Sequence, residues 1–138
     1  MFKCILKHMQ IPTDEEFSNL VGKALDELPE KYVSRLENVV ITYANEPDSV
    51  QRKKLKLRGN QSLFGLYEGI PLMKRGSNYS LVLPDKITLF KFPLFYNSKN
   101  ENDFKKQIKH TLWHEIAHYF GLDHDRIHEL ELENKPAN

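Results

Sequence analysis

Cysteine is nearly absent from this chain. Cys4 is the single one in 138 residues, so no internal disulfide can form. A reducing compartment is compatible with that usage. Neither sign of charge dominates, since 20 basic residues against 19 acidic ones leave a net charge of +1. That balance argues against nucleic acid or an anionic membrane as partner. Long hydrophobic runs are missing as well. Phe2 to Met9 is interrupted by Lys3, Lys7 and His8, which denies it a signal-peptide core. No segment approaches the length of a membrane span, and cytoplasmic residence is the expectation. Internal repeats and low-complexity tracts are lacking too. What is present is an ordinary globular balance, 40% hydrophobic and 28% charged. The expectation is one domain over residues 1–138, with a real core and a frayed tail from about residue 134.

Residues 114–124 carry the most information: His-Glu-Ile-Ala-His-Tyr-Phe-Gly-Leu-Asp-His. An α-helix turns about 100° per residue, so His114 and His118 share one face and can aim at one ion. Glu115 sits one position round from His114 and suits a general base acting on water held by that ion. Catalytic zinc usually takes three protein ligands and keeps a position open. A straight helix would carry His124 away. Gly121 tolerates the left-handed conformation that ends a helix, so the chain can fold back and present His124 as third ligand. Asp123 and Asp125 flank His124 and are the alternatives for that place. The expected cofactor is one Zn2+ per chain. Manganese, iron and nickel are the other metals such a donor set accepts.

Thr13 followed by Glu16 is a capping-box signature. The apolar spacing after it predicts a helix from Asp14 to Leu28, stopped at Pro29. A short helix over Glu30 to Leu36 and a strand over Val39 to Ala44 follow. Glu46 to Asn60 is polar, with the basic run Arg52, Lys53, Lys54, Lys56 and Arg58, and reads as a surface loop. Leu63 to Tyr67, Leu81 to Leu83 and Ile87 to Phe92 read as short strands. Pro93 and Asn97 to Asn102 read as a linker. A long helix is expected from Asp103 to Phe120, burying Phe104, Ile108, Leu112, Ile116 and Phe120. Asp125 is placed to cap a last short helix. His110, one turn before His114, is either a substrate contact or a plain surface histidine. Tyr67 and Tyr119 are candidate oxyanion donors, or core aromatics. Glu68, Asp125 and Glu129 are candidates to brace a ligand imidazole.

Beyond the metal motif, the chain carries Leu28-Pro29, then Gly65-Leu66-Tyr67-Glu68-Gly69-Ile70-Pro71, then Leu83-Pro84-Asp85-Lys86-Ile87 ahead of Thr111 to Gly121. In these marks it resembles the minimal zincin-like metallopeptidases, small bacterial proteins of one domain, over about residues 15 to 130. The resemblance implies an α+β, zincin-like fold: a small twisted mixed sheet packed on helices, with a long metal-binding active-site helix. It implies a peptide or protein substrate, and an edge strand above that helix able to pair with an extended peptide. Leu63 to Glu68 is the candidate edge. Many members carry Asp where this chain has His124, and either residue type binds zinc. Met1, Met9 and Met73 all precede the motif, so no methionine turn follows it as in the larger metzincins.

Two other readings compete with a zinc peptidase. A metal-dependent endoribonuclease family ends its motif in Gly-x-Asp-His, as Gly121 to His124 does, but carries glycine where this chain has Glu115. A metal-stabilised interaction module with little turnover is the third reading, because fold and ligands do not by themselves make an enzyme.

Overall fold

The computed structural model describes residues 10–69 and 84–122, with residues 125, 126 and 129 beyond them. The strand expected at Leu81 to Leu83 lies outside the described residues, as do Cys4, Asp123, His124, His128 and the tail. Helix α1 spans Asp14–Asp26. Its capping box forms as the sequence predicts: Glu16 N–H donates to Thr13 Oγ1 at 3.1 Å and Thr13 N–H to Glu16 Oε1 at 2.9 Å. Phe17, Val21 and Ala24 turn inward from it. A single turn, α2, spans Glu30–Val33.

Strand β1 covers Val39–Ala44. The stretch expected as loop contains a helix, α3, over Ser49–Lys54. Its signal was Asp48 followed by Gln51, a second capping box, closed at 2.7 and 2.9 Å. Strand β2 covers Gly65–Glu68 and β3 covers Asp85–Phe90. The strand read at Ile87 to Phe92 therefore stops two residues early, and α4 begins at once over Lys91–Tyr96. Pro93 falls in its first turn, where a backbone N–H has no intrahelical partner, so the proline costs the helix nothing. Helix α5 spans Glu101–Tyr119. It starts earlier than the apolar spacing suggests because Asn100, not Asp103, caps it, accepting from Asp103 N–H at 2.8 Å.

The sheet has the order β1–β3–β2. β1 runs parallel to β3, pairing Val39 with Asp85 and Ile41 with Ile87. β2 runs antiparallel to β3, pairing Gly65 with Leu89 and Tyr67 with Ile87. The sheet is thus mixed and lies on α5, the α+β arrangement expected. Ile87, Leu89, Phe17, Leu94, Ile108, Leu112 and Ile116 fill the space between sheet, α1 and α5. Trp113 and Tyr32 close one end, with ring centroids 5.0 Å apart. Lys91 is buried at the corner where β3 becomes α4. Its ammonium donates to Pro12 O at 3.0 Å and Asp14 Oδ1 at 2.8 Å, tying that corner to the start of α1. No helix among the described residues is long and apolar enough to cross a membrane.

Candidate metal centre

Helix α5 has two working faces. Phe104, Ile108, Leu112 and Ile116, spaced four apart, are buried under the sheet. His110, His114 and His118, also four apart, line another side. The rings of His114 and His118 stand 4.7 Å apart at 80°, and those of His110 and His114 at 6.3 Å. Ligand atoms of His114, Glu115 and His118 all lie within 4.8 Å of one another. Two donors on one tetrahedral zinc are about 3.3 Å apart, so small side-chain rotations would bring the two imidazoles onto one ion, with the Glu115 carboxyl beside it. Imidazole is a donor that zinc prefers. His110 is exposed and lies outside the cluster.

The helix ends where the motif needs it to. Gly121 has φ +78°, the left-handed conformation open to glycine. Leu122 N–H reaches back to Ala117 O at 3.1 Å, and Gly121 N–H to His118 O at 2.9 Å. This is a Schellman close, and Leu122 packs on the core behind it. His124, the expected third ligand, lies outside the described residues. Asp125 is exposed.

Glu115 is only 7% exposed. Burial raises its carboxyl from 4.5 to about 7, against the opposing pull of a hydrogen bond from the Tyr67 backbone amide. That bond follows from the sheet. Phe90 N–H donates to Phe64 O at 2.8 Å, which makes this a hydrogen-bonded pair of the antiparallel ladder. Such pairs alternate, so residues 64, 66 and 68 turn their main-chain groups toward β3 while Gly65 and Tyr67 turn theirs to the outer edge. β2 is a sheet edge among the described strands. Its outward amide at Tyr67 therefore hangs over Glu115. Gly65 allows that approach: a Cβ there would lie 2.6 Å from Thr111 Cγ2 and 3.3 Å from Glu115 Cγ. Beside this contact runs a cleft of about 250 Å³, with Leu63, Phe64 and Gly65 on one side and His110, Thr111 and His114 on the other.

A second buried carboxylate supports the strand. Asp85, 3% exposed, accepts from the Tyr67 hydroxyl at 2.6 Å. A Cβ at Gly69 would lie 2.4 Å from Asp85 Cγ, so glycine alone fits against it. The sequence reading missed Asp85 and Thr111, although the segments around Gly65 and Asp85 had both marked the resemblance. In the fold they interlock. Tyr119 is fully buried, and its hydroxyl contacts the Glu37 main chain at 3.3 and 3.4 Å. Tyr67 and Tyr119 thus spend their hydroxyls on structure rather than facing an oxyanion. Glu68 meets Gln51 Nε2 at 3.1 Å and Lys86 Nζ at 3.8 Å, and Glu129 meets Arg126 at 2.9 Å.

Comparison with known proteins agrees with this architecture. The zincin-like metallopeptidase family matches residues 36–134. A solved structure of a conserved hypothetical protein from Thermus thermophilus is similar at a TM-score of 0.53 and 18% identity, covering 88% of this chain and 100% of that one. That likeness concerns the fold. No curated protein matches the chain. The family match and the His-Glu-His cluster together support a metal-dependent function.

Proposed function

We propose that this chain, which belongs to the zincin-like metallopeptidase family, is a single-domain zinc-dependent peptidase. The observation that carries the reading is Glu115: a buried carboxyl within reach of two imidazoles and beneath β2, a sheet edge among the described strands. His114, His118 and His124 would hold the metal. Zinc, when bound, supplies Lewis-acid polarisation of a carbonyl and makes water more acidic. The chain's own residues do the rest. The outward main-chain groups of Gly65 are placed to pair with an extended peptide added to the sheet, while the Tyr67 amide is taken by Glu115. Leu63, Phe64 and Thr111 shape the adjoining cleft. Glu115 takes a proton from water and gives it to the leaving amine. Burial beneath β2 raises that carboxyl in the metal-free protein. The Tyr67 amide keeps that carboxyl oriented. Cytoplasmic residence belongs to the same reading, supported by the single cysteine.

The test is metal content measured beside turnover of a fluorescent protein substrate. The expected result is one zinc per chain, lost in His118→Ala and His124→Ala and kept in Asp125→Ala. Glu115→Gln should retain zinc and lose about a thousandfold in turnover, the scale of a general acid–base contribution. Full activity in Glu115→Gln would refute the mechanism. Zinc retained by His124→Ala would move the third ligand to Asp123 or Asp125.

A further inference from the structure

The near-neutral total charge conceals a segregated distribution. Residues 49–66 contain Arg52, Lys53, Lys54, Lys56 and Arg58 and no Asp or Glu. That segment therefore carries +5 in a chain of net +1, which leaves −4 for everything else. Four lysines elsewhere, Lys86, Lys91, Lys105 and Lys109, meet acidic side chains, Lys91 with Asp14 at 2.8 Å and Lys109 with Glu27 at 3.5 Å. Lys53, Lys54 and Lys56 are exposed and meet no acidic side chain among the described residues.

The segment is built rather than loose. Leu57 N–H donates to Arg52 O at 2.9 Å, and Arg58 and Gln61 close a turn through bonds of 2.9 Å each. Gln51 Nε2 fastens α3 to Glu68 of β2 at 3.1 Å. From this turn the chain runs into Leu63 and Phe64, one lip of the cleft beside Glu115. The same segment exposes Val50 at 72%, Leu55 at 40% and Phe64 at 38%. The segment that leads along the chain to the cleft is thus cationic, with exposed apolar side chains among its charges.

We infer that the substrate is an acidic polypeptide, with an apolar side chain that enters the cleft at Phe64 and carboxylates that lie over Lys53, Lys54 and Lys56. This rests on the peptidase reading and names its substrate class. Peptide fits better than nucleic acid for two reasons. Single-stranded nucleic acid is held by successive aromatic platforms, whereas two of these three exposed side chains are aliphatic. Gly65, on a strand that is an edge among the described strands, turns a main-chain donor and acceptor outward, which match a peptide backbone. The cations would act mainly on encounter and register, and salt would weaken them.

The experiment measures binding without cleavage, using the full-length Glu115→Gln protein loaded with zinc. The probes are short fluorescent peptides with a central Leu flanked by Glu, by Gln or by Lys, and an RNA oligomer of similar length, at low and physiological salt. The Glu peptide should bind about tenfold tighter than the Gln peptide at low salt, as expected of three surface ion pairs. The Lys53→Gln/Lys54→Gln/Lys56→Gln variant should remove that preference, and the triple Lys→Glu variant should reverse it. Equal binding of the Glu and Gln peptides, or an unchanged preference in both variants, would overturn the inference. RNA binding tighter than the Glu peptide, and lost in the variants, would reassign the face to nucleic acid. Equal cleavage of acidic and neutral peptides by the native protein would end this inference and leave the peptidase reading intact. Charge-selective peptide binding without any hydrolysis would do the opposite.

Discussion

Two buried carboxylates, one at each end of the same tyrosine, are treated differently. Asp85, 3% exposed, receives the Tyr67 hydroxyl at 2.6 Å and is locked under Gly69. Glu115, 7% exposed, receives the Tyr67 amide, and burial still lifts its carboxyl to about 7. The Asp85 end ties the Tyr67 side chain of β2 to the start of β3. The Glu115 end leaves a carboxyl that exchanges its proton near neutral pH. One short strand thus meets two buried acids, one through a side-chain hydroxyl and the other through a backbone amide.

The contrast can be tested by stability against pH in the metal-free protein. Glu115 has a folded value of about 7 against 4.5 for the exposed group. Below about pH 4.5 both states hold the proton. Between 4.5 and 7 the unfolded chain ionises first, so stability falls as pH rises, and above 7 the loss is complete. A difference of this size corresponds to about 3 kcal/mol. Denaturant unfolding at pH 5 and pH 8 should show this fall in the native sequence and a flatter profile in Glu115→Gln. A Glu115→Gln protein less stable than the native one at pH 8 would contradict the buried-acid account.

A smaller effect is expected at the other end. Tyr67→Phe deletes the hydroxyl and strips a buried carboxylate of a donor, at a cost of about 2 kcal/mol. The backbone amide remains, so zinc content should hold while the melting temperature falls. Loss of zinc binding in Tyr67→Phe would mean that the two ends are not separable. The smallest effect belongs to Thr13→Ala, far from both acids. Removing the α1 cap should cost about 1 kcal/mol in denaturant unfolding and change neither zinc content nor turnover.

Local signals made much of the chain legible. The Thr13–Glu16 box, the β-rich composition of Val39 to Ala44 and the four-residue spacing on α5 are short-range properties, and each became the element it predicts. Errors came where a local signal was overlooked or overread. Asp48 and Gln51 form the same kind of box as Thr13 and Glu16, and α3 follows from it. Pro93 breaks a helix only beyond the first turn, and here it sits within it.

By itself the sequence determined which residues could bind a metal, because His114, Glu115 and His118 share a helix whose pitch is set by its backbone hydrogen bonds. It also determined where that helix stops, because only Gly121 is suited to φ +78°. Tertiary structure alone decided that Glu115 is buried, that the Tyr67 amide meets it and that Asp85 receives the Tyr67 hydroxyl. These contacts join segments 18 and 48 residues apart in the chain, across a sheet whose register no local pattern specifies. The chemistry of a carboxyl depends on what surrounds it, and the surroundings of Glu115 exist only once β2 has settled on α5.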